Sequence, residues 1–139
     1  MRIIVINHDE HGLGLLRRFT SNDLPTTFRY FDKRDISVIR NHKITLLGML
    51  ENEVMAYAHV DTDDDGNNWL GICVLGKYTN RGYGKRLMKE LLDRASDLNV
   101  GTIKLTVDVD NDVAIRLYES FGFASDGYHN SRIMKMIRT

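Results

Sequence analysis

The chain has 139 residues, 42% of them hydrophobic and 27% charged, a size and balance that build one globular domain over residues 1–139 and leave no material for a second core. Its 19 basic residues are matched by 19 acidic ones, so no whole-molecule field draws in nucleic acid or an anionic membrane, and any phosphate affinity must be local. A single cysteine, Cys73, excludes an internal disulfide, and the absence of a membrane-length apolar run or a signal-peptide pattern sets a cytoplasmic expectation.

In chain order, Arg2 to Asn7 reads as a first strand. His8 or Asp9 then caps a helix with Leu13, Leu16 and Phe19 on one face. Pro25 breaks the pattern and marks a loop over Ser21 to Pro25. Phe28 and Phe31, three apart, suggest a short helix packed on the core; the same stretch is also readable as an acceptor-side wall in which Tyr30 or Arg34 meets substrate. Ile44 to Leu50 and Val54 to Asp61 are two strands joined by a short turn. The following DTDDDG imitates the start of a calcium loop, but Ile72 stands where the closing Glu belongs, so a hairpin tip with Gly66 at positive φ is the better reading.

The apolar run Trp69 to Leu75 is a buried strand, and Leu87, Met88, Leu91, Leu92, Ala95 and Leu98 form the stripe of an amphipathic helix that stops at Asn99 and Gly101. Thr102 to Val109 alternates Ile103, Leu105, Val107 and Val109 on one face, as a strand does. Asp110 to Phe121 is a short helix with Val113, Leu117 and Phe121 on a stripe and Gly122 at its end. After a loop over Asp126 to Ser131, Ile133 to Ile137 closes the sheet. These elements make a mixed α/β (α+β) sheet with helices on both faces.

Between the apolar strand and its helix lies Thr79-Asn80-Arg81-Gly82-Tyr83-Gly84-Lys85. Its glycines allow a sharp turn and close approach of a ligand, and the helix they open presents unpaired N–H groups that attract phosphate, helped by Arg81, Lys85 and Arg86. Two familiar phosphate loops do not fit. A Walker loop needs Ser or Thr where Arg86 stands, and the dinucleotide fingerprint needs a small residue where Leu87 stands. The later segment Val109 to Phe123 carries Asn111, Ala114, Leu117, Tyr118, Gly122 and Phe123.

Both stretches resemble the GCN5-related N-acetyltransferases, whose central motif follows a strand as a polar residue, two variable residues, Gly, one residue and Gly. The resemblance covers roughly residues 69 to 123, with Thr79 standing where the family usually has Gln or Arg. It implies a mostly antiparallel central sheet of about six strands. It also implies acetyl-CoA as co-substrate without a metal, the pyrophosphate on Thr79 to Gly84, and the pantetheine arm along Ile72, Cys73 and Val74 of a strand splayed from its neighbour. An N–H near Val74 then faces the thioester oxygen, a placement worth on the order of 3 kcal/mol of barrier reduction.

The resemblance makes Tyr118 the general acid for the leaving thiolate, against the plainer reading of an amphipathic Tyr bonding a carbonyl. It gives Asn111 either to the pantetheine arm or to the cap of its helix. The strand Trp69 to Leu75 offers no acid as base; His59, expected opposite Gly71 and with a reference pKa of about 6.5, is the nearest candidate. Cys73 has no base beside it and is not expected to be a nucleophile. The acceptor expected is a small-molecule amine, with an amino sugar suggested by a faint similarity of FRYFDKR, AYAHVD and WLGICV to acetyltransferases of bacterial surface sugars. Acetylation of a protein N-terminus or lysine, and a non-catalytic acyl-CoA-binding module, are the alternatives; a homodimer is compatible with the family.

Overall fold

A computed structural model describes residues 1–139. The elements are β1 (Arg2–Val5), α1 (Glu10–Thr20), β2 (His42–Leu50), β3 (Glu53–Thr62), β4 (Asn68–Val74), α2 (Tyr83–Asp97), β5 (Ile103–Asp108), α3 (Asp112–Ser120), β6 (Ala124–Tyr128) and β7 (Ile133–Arg138). They form one seven-stranded sheet in the order β1-β2-β3-β4-β5-β7-β6, antiparallel throughout except between β4 and β5.

The pleat assigns the two faces. Tyr57, His59 and Asp61 of β3 share a face with their partners Cys73, Gly71 and Trp69 on β4, and Phe19 of α1 stacks on Tyr57 with ring centres 5.7 Å apart. Ala56 and Ala58, with Val74 and Ile72, occupy the opposite face, where α2 lies with Gly84 beside Val74. α2 buries Leu87, Met88, Leu91, Leu92 and Ala95 there. Its large side chains are each worth roughly 1.5–3 kcal/mol of burial. Leu98, expected to end that stripe, is instead the 54% exposed C-cap.

The mixed, mostly antiparallel sheet with helices on both faces is the expected one, with β6 as a further strand, and one other expectation is corrected. The sheet has seven strands, because β6 completes its outer edge; all five of its residues are exposed and its register slips between Ser125 and Tyr128, so no apolar alternation marks it. Phe28 and Phe31 do pack on the core, but from a turn rather than a helix. Their rings meet Tyr57 at 5.6 and 5.2 Å, so tertiary contact holds them without helical hydrogen bonds. The helical turn of this region comes later, a 3₁₀ segment over Ile36–Asn41 capped by the Asp35 carboxylate. Asp9 caps α1 by accepting from the Gly12 N–H at 2.7 Å, and the DTDDDG turn is a hairpin tip with Gly66 at φ 83°.

Candidate active site

β4 and β5 run parallel and pair only at Asn68 with Ile103 and Trp69 with Lys104. Beyond those pairs the strands separate, and backbone groups on that edge of β4 are left without a strand partner. A cleft of about 370 Å³ fills the opening, lined by Ile72, Cys73 and Val74 from β4 and Thr106, Val107 and Asp108 from β5. Asn111, Val113, Ala114, Leu117 and Tyr118 close it from the α3 side, so Val113, 63% exposed, faces the cleft rather than the core. A larger hollow of about 620 Å³ around Arg18, Glu51 and Tyr78 contains none of the residues singled out above.

The turn before α2 supplies the other end of the cleft through Thr79, Asn80, Gly82, Tyr83, Gly84 and Lys85. Asn80 and Gly82 both take left-handed backbone, at φ 64° and 82°, which folds the chain back so that α2 starts with its free first-turn N–H groups at the cleft. The Thr79 hydroxyl is committed to the Gly76 carbonyl at 2.9 Å. Gly84 has no such conformational need. A methyl built there meets nothing closer than Leu117 and Val74 at 3.8 Å, so the protein tolerates a side chain and the space kept open belongs to the cleft. Arg81 is exposed and outside the lining, and Arg86 turns away to the Met1 carbonyl at 2.9 Å.

Tyr118 is 9% exposed, and its ring packs edge-on against Phe123. Its hydroxyl bonds no carbonyl, yet no buried side-chain polar atom lacks a partner, so the hydroxyl opens on the cleft. Burial, with Cys73 as a smaller contributor, pushes its pKa up to about 12, and it stays protonated across the physiological range. Cys73 sits on the same face; burial pushes its thiol up to about 12 as well, which removes the thiolate a nucleophile requires. Asn111 caps α3 through Oδ1, which accepts from the Ala114 N–H at 3.3 Å, and lines the cleft with Nδ2 uncommitted. One side chain therefore serves the cap and still offers donors, where sequence reasoning set the two uses against each other.

His59 lies opposite Gly71 as the hairpin register requires, and its ring covers that glycine so closely that a methyl there would be 2.5 Å from Cε1. It is only 2% exposed and outside the cleft lining. Its Nε2 is 3.3 Å from Asp61 Oδ1; because a carboxylate only accepts, Nε2 carries the proton and Nδ1 accepts from the Tyr57 hydroxyl at 2.8 Å. The Tyr30 hydroxyl lies 2.7 Å from His42 Nε2 and 3.2 Å from Asp61 Oδ2, while His42 Nδ1 meets Thr45 at 2.8 Å. Burial lowers both histidines, His42 to about 3, so both are neutral at pH 7.

The donor atoms of His42, His59 and Asp61 lie within 4.8 Å of one another, a spacing that raises the question of a metal. The two imidazoles, however, are stacked with centres 4.4 Å apart and planes 17° from parallel, so their in-plane lone pairs run side by side instead of converging on one ion. The cluster fits a closed hydrogen-bond network. Tyr30 and Arg34 do not line the cleft; Pro25, Thr27 and Phe28 of the same segment do, and the adjacent Arg29 grips Asp108 with two bonds of 3.0 and 3.1 Å. Asp108 is the cleft's only carboxylate, and sequence reasoning missed it because its partner lies 79 residues away.

The profile of the acetyltransferase (GNAT) family matches residues 13–123, and the chain belongs to that family. It is 32% identical to the L-amino acid N-acetyltransferase AaaT of Escherichia coli over 87 residues, 59% of this chain and 54% of that protein, so the match spans about half the relative's length. Among solved structures, the ribosomal-protein-alanine N-acetyltransferase of Brucella melitensis superposes with a TM-score of 0.77 over 99% of both chains at 17% identity. The Salmonella typhimurium protein yncA, solved with its cofactor acetyl-CoA, gives 0.59 at 18% identity over 68% of this chain and 62% of its own. At these identities the structures establish a shared fold.

Proposed function

We propose that the chain transfers the acetyl group of acetyl-CoA directly to a primary amine of a small molecule. The observation that carries this reading is the unpartnered Tyr118 hydroxyl inside a cleft bounded by the edge of β4 and the N-terminus of α2. The N–H groups that open α2, with Lys85, receive the pyrophosphate of acetyl-CoA. Ile72, Cys73 and Val74 hold the pantetheine arm along the unpaired edge of β4, aided by Nδ2 of Asn111, and an N–H near Val74 faces the thioester oxygen. The acceptor's ammonium sheds one proton to solvent, and the neutral amine attacks the thioester carbon. As the C–N bond forms and the C–S bond breaks, the nitrogen loses a second proton and Tyr118 protonates the departing thiolate, then regains its proton.

His59 is enclosed by Tyr57 and Asp61, so we assign it the part of a positioning group that fixes Tyr57 beneath Phe28 rather than the base expected from sequence. The thiol of Cys73 takes no covalent part, because burial keeps it protonated. A small acceptor is favoured because Pro25, Thr27 and Phe28 line the cleft and narrow the groove a polypeptide would need. The test is release of free thiol from acetyl-CoA in the presence of amino acids, amino sugars and short peptides. Release driven by a small amine and abolished by Tyr118→Phe supports the reading; release driven best by peptides moves the acceptor to the protein class, and wild-type turnover in Tyr118→Phe removes the assigned acid.

A further inference from the structure

At the outer end of β5 the cleft adjoins a second hollow of about 550 Å³, and Asp108 lines both. The hollow holds two arginines, Arg29 and Arg132, and two aspartates, Asp108 and Asp110. It is built from three separate elements: the segment bearing Arg29, the end of β5, and the β6–β7 loop. That loop is fixed in place, since the Val109 N–H donates to the Arg132 carbonyl at 2.9 Å and the Arg132 N–H to Asn130 Oδ1 at 2.8 Å. Arg29 and Asp108 are paired, whereas Arg132 and Asp110 belong to none of the protein's ion pairs.

As a structural clasp the Arg29–Asp108 pair contributes little, because the Arg29 side chain is 52% exposed and water screens it. Its place matters more. The Asp108 side chain is 18% exposed and lines both the cleft and the second hollow. The guanidinium of Arg29 keeps N–H donors beyond the two that Asp108 uses, and these are available to an anion. A molecule carrying both an ammonium and an anionic group matches this alternation of charge, whereas an amine without an anion takes Asp108 and leaves two arginines against Asp110 alone.

We propose that the second hollow is the acceptor site and that its ligand is an amine bearing a carboxylate or a phosphate. Asp108 receives the ammonium, sharing the place that Arg29 holds in the free protein, and Arg29 with Arg132 receives the anion. An amino acid and an amino-sugar phosphate both present this chemistry. The assignment rests on the acetyl-transfer reading, and it leaves the proton balance unchanged: one ammonium proton passes to solvent through the open hollow and one ends on the coenzyme thiol.

Thiol release is measured with acetyl-CoA and four pairs or single probes: L-methionine against L-methioninamide, L-glutamate against L-glutamine amide, glucosamine 1-phosphate against glucosamine, and an Ala-initiated hexapeptide. The expected result is a kcat/KM about tenfold or more higher for one anion-bearing amine than for its anion-free counterpart. The methionine and sugar arms tell a carboxylate from a phosphate. Asp108→Asn should raise the KM for that amine by about tenfold while acetyl-CoA still raises the melting temperature, and the exposed Arg132→Gln should narrow the gap between the paired probes. Equal use of the anion-free partners, preference for the hexapeptide, or no turnover of any anion-bearing probe by a protein that acetyl-CoA stabilises each overturns the assignment. If acetyl-CoA does not stabilise the protein, the coenzyme reading itself falls and this one with it.

Discussion

Gly84→Ala separates what the fold needs from what the ligand needs, because the two effects have opposite signs. The added methyl meets Leu117 Cδ2 and Val74 Cγ2 at 3.8 Å, which is ordinary van der Waals contact, and Gly84 is not among the glycines with positive φ. The position lies in the first turn of α2, so replacing Gly by Ala reduces the freedom of the unfolded chain and should stabilise the fold by about 0.4–1 kcal/mol. In a domain of this size that is a rise of roughly 1–5 °C in melting temperature. The same methyl enters the cleft where the backbone is open to a phosphate, and a loss of at least about tenfold in acetyl-CoA affinity, or about 1.4 kcal/mol, is expected. Differential scanning fluorimetry gives the first number and isothermal titration calorimetry the second. A melting temperature several degrees below wild type, or an unchanged affinity, would refute the reasoning about this glycine.

Tyr118→Phe should keep wild-type stability, since the hydroxyl has no partner in the protein, and should lower kcat by about 10²-fold or more; steady-state kinetics with an accepted amine decide it. Gly71→Ala should cost about 1–3 kcal/mol by urea denaturation, because its methyl would sit 2.5 Å from a His59 ring held on both sides by Tyr57 and Asp61. The neutral histidines fix the pH response. Their folded pKa values lie below the unfolded one, so their stabilisation is complete above about pH 6.5 and is lost as the pH falls toward the folded value, near 3 for His42. Asp61 is itself held low, so it adds to this acid loss, but only as the pH falls below the ordinary carboxylate range. Unfolding stability should therefore fall between pH 6.5 and 4.5 by up to about 1.4 kcal/mol per pH unit per histidine, a slope that His42→Gln should reduce; a flat profile in urea melts contradicts the buried neutral assignment.

The parts of this structure that were legible in sequence are those whose cause is local. The α2 stripe, the strand before it and the glycine turn between them follow from spacing within one stretch, and the placement of His59 over Gly71 follows from counting back from a hairpin tip at Gly66. What was not legible depends on contacts between distant segments. β6 is recruited by β7 and carries no apolar pattern of its own, and Phe28 and Phe31 are held by Tyr57 rather than by a helix. The same holds for the site. Tyr118 and Asn111 are marked by their neighbours in sequence, whereas Asp108 acquires its setting only when Arg29 arrives from 79 residues away, and the burial that takes His59 out of the cleft comes from Tyr30, Tyr57 and His42 packing over it.

The most direct test of the central claim is the melting temperature of the chain with acetyl-CoA, coenzyme A or NAD added separately at millimolar concentration. A ligand present at about 100 times its dissociation constant stabilises the folded state by roughly 2.7 kcal/mol, enough for a shift of several degrees. The account predicts that both coenzyme A compounds produce that shift and NAD does not, because the cleft between β4 and β5 leads from the α2 N-terminus to Tyr118 along the unpaired edge of β4. No shift with acetyl-CoA, or an equal one with NAD, would contradict it.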